Sequence, residues 1–129
     1  IERFVRRTLG CCCADDVFRL VAIADGQSRD GTAFTRLIVG GRLLIYVLEP
    51  PAGGAVGALV GALAAQGLAE RESRAYSRFR LVLASKDPGA ANGEAETAFR
   101  RMVGGDDRAH LHLLSPAELP PILSSRGRR

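Results

Sequence analysis

Residues 34–48 read Phe-Thr-Arg-Leu-Ile-Val-Gly-Gly-Arg-Leu-Leu-Ile-Tyr-Val-Leu, and this stretch decides the fold class. Branched and aromatic residues dominate both arms, as a pleated, half-buried surface favours. Gly40-Gly41 between them supplies the left-handed conformations a tight hairpin turn needs. Phe34 to Val39 and Arg42 to Leu48 are therefore predicted as an antiparallel pair. Pro50-Pro51 ends the second arm, because proline cannot donate to a sheet ladder.

Upstream, Phe18 to Ala24 (FRLVAIA) reads as a further strand, followed by a polar turn over Asp25 to Gly31. Before it, Ile1, Phe4, Val5 and Leu9 share one helical face, with Gly10 as a left-handed stop. Downstream, the period changes. Ala52 to about Arg71 carries an apolar stripe of Val56, Leu59, Val60 and Leu63 beside a ridge of Gly53, Gly57 and Gly61, so a helix pressed closely against a neighbour is expected. Phe79 to Ala84 is a fourth strand, ended by Asp87-Pro88-Gly89. A helix capped by Asn92 follows, with Ala95, Ala98, Phe99, Met102 and Val103 apolar, ending at Gly104-Gly105. Ala109 to Leu114 is a fifth strand, and Ser115, Pro116 and Glu118 form a capping box on a short last turn.

Strand–helix–strand units require right-handed crossovers and parallel neighbours. The expected fold is thus a single α/β domain over residues 1–124: a mixed five-stranded sheet, an antiparallel three-strand meander followed by β-α-β-α units, flanked by helices. Residues 125–129 are expected to form a basic, disordered tail. The helix–meander–helix–strand order is similar to the core of restriction-endonuclease-like folds. That resemblance implies an acid and an acid-x-lysine on consecutive meander strands, holding a divalent ion for phosphodiester hydrolysis. Asp25, Glu49, Lys86 and Asp87 stand at strand ends, but Arg42 to Leu48 offers only apolar residues before Glu49, which departs from that pattern.

At 129 residues, 47% hydrophobic and 25% charged, the chain can bury a core without staples and is neither disordered nor fibrous. Every basic residue but Lys86 is arginine, and Ala and Gly are abundant, a mark of GC-rich coding. The net charge of +4 is concentrated at the ends: Arg3, Arg6 and Arg7 near the start, and Arg126, Arg128 and Arg129 in the tail. The body from 11 to 124 holds 12 basic against 13 acidic residues, so a nucleic-acid partner is not expected. The uncharged run from Pro50 to Ala69 is rich in Ala and Gly and reads as a buried helix, not a membrane span. A reducing cytoplasm is the expected compartment.

The most distinctive chemistry is Cys11-Cys12-Cys13, between a helix end and a turn opened by Asp15-Asp16. A thiolate is favoured beside cations such as Arg6 and Arg7, and Cys11 with Cys13 could close a small, reducible disulfide. These three form a candidate redox site, with Cys11 and Cys13 as the working pair. His110 and His112 fall two apart on one strand and so share a face. With Cys11 and Cys13 they would complete a zinc or iron set. The alternative function is a non-catalytic interaction or oligomerisation module with incidental cysteines, whose partner is a second copy or another protein. The ridge of glycines fits no phosphate loop, because no Gly-Lys-Ser/Thr closes it.

Overall fold

The structure, a computed structural model, describes residues 21–27, 32–49, 56–84 and 88–118. They form five strands, β1 (Val21–Gln27), β2 (Ala33–Val39), β3 (Leu43–Leu48), β4 (Arg78–Ala84) and β5 (Ala109–Leu114), and two helices, α1 (Val56–Ser73) and α2 (Pro88–Val103). A single turn of 3-10 helix over Pro116–Glu118 follows. The sheet order is β1-β2-β3-β4-β5; β1, β2 and β3 pair antiparallel, while β3–β4 and β4–β5 pair parallel. The mixed α/β sheet expected from the sequence is therefore the fold. The predicted first helix, Cys11 to Cys13, the start of the first strand before Val21, and the tail lie outside the described residues.

The hairpin forms as its glycines dictate. Val39 pairs with Leu43 across the turn, Gly40 and Gly41 take φ of 62° and 66°, and Arg42 N–H donates to the Val39 carbonyl at 3.1 Å. All six residues of β3 are buried, as expected of a strand covered on both faces.

Two successive right-handed crossovers that step the same way along the sheet place both helices on one face. There Leu44, Tyr46 and Leu48 of β3, Phe79, Leu81 and Leu83 of β4, and Ala109 of β5 meet Leu59, Val60, Leu63 and Ala64 of α1 and Ala95 and Phe99 of α2. The other face carries Leu37, Val39, Ile45, Val47 and Val82, all buried.

Two boundaries and one packing contact differ from expectation, each for a local reason. β1 continues through Asp25-Gly26-Gln27, where a turn was predicted, because Gly26 pairs with Phe34 of β2 and that ring lies over it. A Cβ on Gly26 would stand 2.6 Å from the ring. An aromatic ring covering a cross-strand glycine restores the packing that glycine lacks. α2 begins at Pro88, ahead of Asn92, since proline is compatible with the first helical turn. Close packing of α1 falls at Gly67, not along the whole predicted ridge: a Cβ there would meet the Phe79 ring at 2.2 Å, whereas nothing lies within 4 Å at Gly61. Gly57 does approach α2, with Glu94 at 2.9 Å from such a Cβ, and Gly53 lies outside the described residues.

Candidate functional site

Of the residues singled out for chemistry, Cys11, Cys12, Cys13, Lys86 and Asp87 lie outside the described residues. His110 and His112 stand on β5, an edge strand of the described sheet, on the face away from the helices. Leu111 and Leu113 point to the helix side and pack against its core.

His112 is half-buried, and its Nε2 lies 2.8 Å from Nη1 of Arg80 on β4. A guanidinium only donates, so Nε2 accepts and the ring proton sits on Nδ1. Burial first, then the charge of Arg80, pull the His112 pKa down to about 4. His110 is exposed, and its Nε2 lies 2.9 Å from the Asp107 carbonyl, to which it donates. Both Nε2 atoms are thus committed. A dication shared by the two rings would have to use Nδ1 atoms or displace the Arg80 guanidinium. Among the described residues there is no group of three His, Cys, Asp or Glu placed to hold a metal. Asp25, within β1, and Glu49, just past β3, are exposed at the end of the sheet where the parallel strands finish.

Inside the fold, one polar cluster ties α1 to the sheet. Glu70 accepts from the Tyr46 phenol at 2.5 Å and pairs with the Arg36 guanidinium. Tyr46 is fully buried, and burial, reinforced by the hydrogen bond to Glu70, holds its phenol protonated far above the ordinary range. Every group here is engaged in holding the helix down, which is a structural use of charge.

The most distinctive surface lies where the parallel strands begin and the helices end. The Arg42 carbonyl accepts from Ser77 N–H at 2.8 Å and from Arg78 N–H at 3.2 Å, and the Arg108 carbonyl accepts from Phe79 N–H at 2.9 Å. Arg42, Arg78 and Arg108 therefore stand side by side at the heads of β3, β4 and β5, spanning about 10 Å at ordinary strand spacing. Arg74 follows α1, and Arg100 and Arg101 occupy the last turn of α2. The two helix ends are joined by the Arg71–Asp106 ion pair at 2.5 Å.

Every exposed arginine among the described residues belongs to this end: Arg42, Arg74, Arg78, Arg100, Arg101 and Arg108. Exposed acids there are Glu72 and Asp107, so six positive charges face two negative ones. None of the six guanidinium groups is ion-paired among the described residues. Asp25, Glu49, Glu94 and Glu118 lie toward the opposite end and Glu96 at the middle of α2, giving the domain a basic and an acidic pole. The helix dipole accounts for Arg100 and Arg101, which sit at a helix C-terminus. It does not account for Arg42, Arg78 and Arg108, which open strands. Burial and the charge of Arg78 together lower the pKa of Arg80, a further sign of concentrated positive charge.

The sequence charge balance missed this surface, because the arginines are spread from 42 to 108 and only the parallel topology gathers them. No helix among the described residues is long and apolar enough to cross a membrane. No protein family, no curated protein and no solved structure matches the chain.

Proposed function

We propose that the chain is a non-catalytic binding module whose working surface is the arginine pole and whose partner is a polyanion. The observation that supports this is the gathering of six exposed arginines at one end with two exposed acids among them. Concentrated charge of one sign destabilises a domain slightly by self-repulsion and raises the local concentration of an oppositely charged partner. Acids placed at the far pole, where they do not neutralise the arginines, sharpen that field. The test is equilibrium binding of the full chain to poly-L-glutamate and to a nucleic-acid duplex. Saturable, salt-sensitive binding of at least one, unchanged when Cys11, Cys12 and Cys13 are replaced by serine, is expected. Failure of both to bind at about 50 mM salt, where such attractions are strongest, contradicts the reading.

A second reading assigns the function to Cys11, Cys12 and Cys13 as a thiol redox or metal-binding element, with His110 and His112 as further ligands of zinc or iron. It is favoured by the shared face of the two imidazoles and by the neutral state of His112, the form that binds metals. Against it stands the guanidinium already on His112 Nε2. Elemental analysis of anaerobically purified protein, beside a thiol titration across pH, separates the two. Stoichiometric zinc or iron that disappears in a Cys11→Ser, Cys13→Ser variant, or thiols ionising well below the ordinary range of about 8.5, supports the sulfur reading.

A further inference from the structure

Resting on the polyanion reading above, we infer that the arginine pole binds the phosphate backbone of a nucleic-acid duplex without reading its bases. Three features of the pole select this partner over an acidic protein surface. Its cations are all guanidinium forks, whose planar donors match phosphate oxygens in pairs. Its described residues lack the apolar and aromatic centre a protein interface is built around, Met102 on the last turn of α2 being the large hydrophobic side chain exposed among them. None of the five described aromatic side chains is exposed, so the described residues offer no platform on which the unstacked bases of a single strand could lie.

Geometry supports the same choice. Arg42, Arg78 and Arg108 form a row fixed by backbone hydrogen bonds across three adjacent strands, with Arg74 and the Arg100–Arg101 pair beside it at the helix ends. Cations anchored side by side on adjacent strands suit an evenly charged rod, and contacts of this kind position a protein on a duplex without conveying sequence. The described part of this pole is built of the tight Gly40-Gly41 turn, strand heads and helix ends, which suits contact with a backbone.

Fluorescence anisotropy with a labelled duplex of random sequence, from 50 to 200 mM salt, tests the inference on the full chain. With six phosphate contacts the affinity falls about 1,800-fold over that range. In the Arg42→Gln, Arg78→Gln, Arg108→Gln variant the fall drops to about 40-fold, and binding at 50 mM salt is at least about tenfold weaker. Circular dichroism checks that this variant folds; should it not, Arg108→Gln alone lowers the slope of log affinity against log salt by about 0.9. Replacing Arg126, Arg128 and Arg129 by glutamine leaves the fall larger than in the pole variant. Poly-L-glutamate binding as tightly as the duplex overturns the duplex inference and leaves the polyanion reading standing. Binding of neither overturns both. Duplex binding unaffected by the pole variant, or abolished by the tail variant alone, overturns the inference.

Discussion

Ala75 holds a conformation that its side chain resists. It terminates α1 with φ of 58°, and the bonds from Tyr76 N–H to the Arg71 carbonyl at 2.9 Å and from Ala75 N–H to the Glu72 carbonyl at 3.3 Å close a Schellman motif around it. Glycine is the residue that adopts this left-handed position without a Cβ penalty, so Ala75→Gly is expected to stabilise the protein by up to about 1 kcal/mol in chemical denaturation. Asp106 gives a second residue-level prediction. The hydrogen bond from Arg71, aided by the Arg108 N–H at 2.9 Å, holds its carboxyl below the ordinary carboxylate range. A depressed carboxylate adds stability above its unfolded pKa and loses it as pH falls through the folded one. Stability should therefore drop more steeply in the wild type than in Asp106→Asn as pH falls below about 4; equal slopes would mean the ion pair contributes nothing. Single residues are also where sequence reading succeeds best. Gly40-Gly41 announced their turn, and Ser115 with Glu118 announced their cap, which forms with Glu118 Oε1 accepting from Ser115 N–H at 3.2 Å. These motifs are local, and their chemistry is complete within a few residues.

At the scale of elements, α1 shows what spacing alone does not reveal. Gly53, Gly57 and Gly61 repeat at helical intervals and suggest a packing ridge, yet the tightest approach is at Gly67, against the Phe79 ring. Which glycine meets a neighbour depends on how the helix crosses β4, and no local pattern carries that. The two positions should respond with opposite signs. Gly67→Ala forces α1 off a buried ring and is expected to cost about 2 kcal/mol, whereas Gly61→Ala, in open space within a helix, should stabilise by about 1 kcal/mol. Thermal denaturation of both variants checks this, and a stabilised Gly67→Ala would show that the helix rides higher over the sheet. The same distinction explains the strands. β3 and β4 were legible because runs of Val, Ile and Leu leave few alternatives, and β5 because His110 and His112 alternate with leucines. The last three residues of β1 were not, because Asp25-Gly26-Gln27 is a strand by virtue of Phe34 lying across the glycine from the next one.

The whole molecule is organised by one fact of topology. Parallel strands reached by right-handed crossovers bring the heads of β3, β4 and β5 and the ends of α1 and α2 to one pole. Arginines that are dispersed in the chain accumulate there, while Asp25, Glu49, Glu94 and Glu118 fall toward the other. A charge sum over the body averages these two populations to almost nothing, which is why the surface was invisible in the sequence even though the sheet was not. The sulfur trio was conspicuous in the sequence for the opposite reason: adjacency needs no fold to be noticed. The direct measurement of the central claim is a map of amide chemical shifts in the isotopically labelled chain as a nucleic-acid duplex is titrated at low salt. The account predicts perturbations concentrated at residues 40–43, 74–79 and 100–110, disappearing as salt is added. Perturbations centred on the Glu49 and Glu94 pole, or none at saturating duplex, would contradict it.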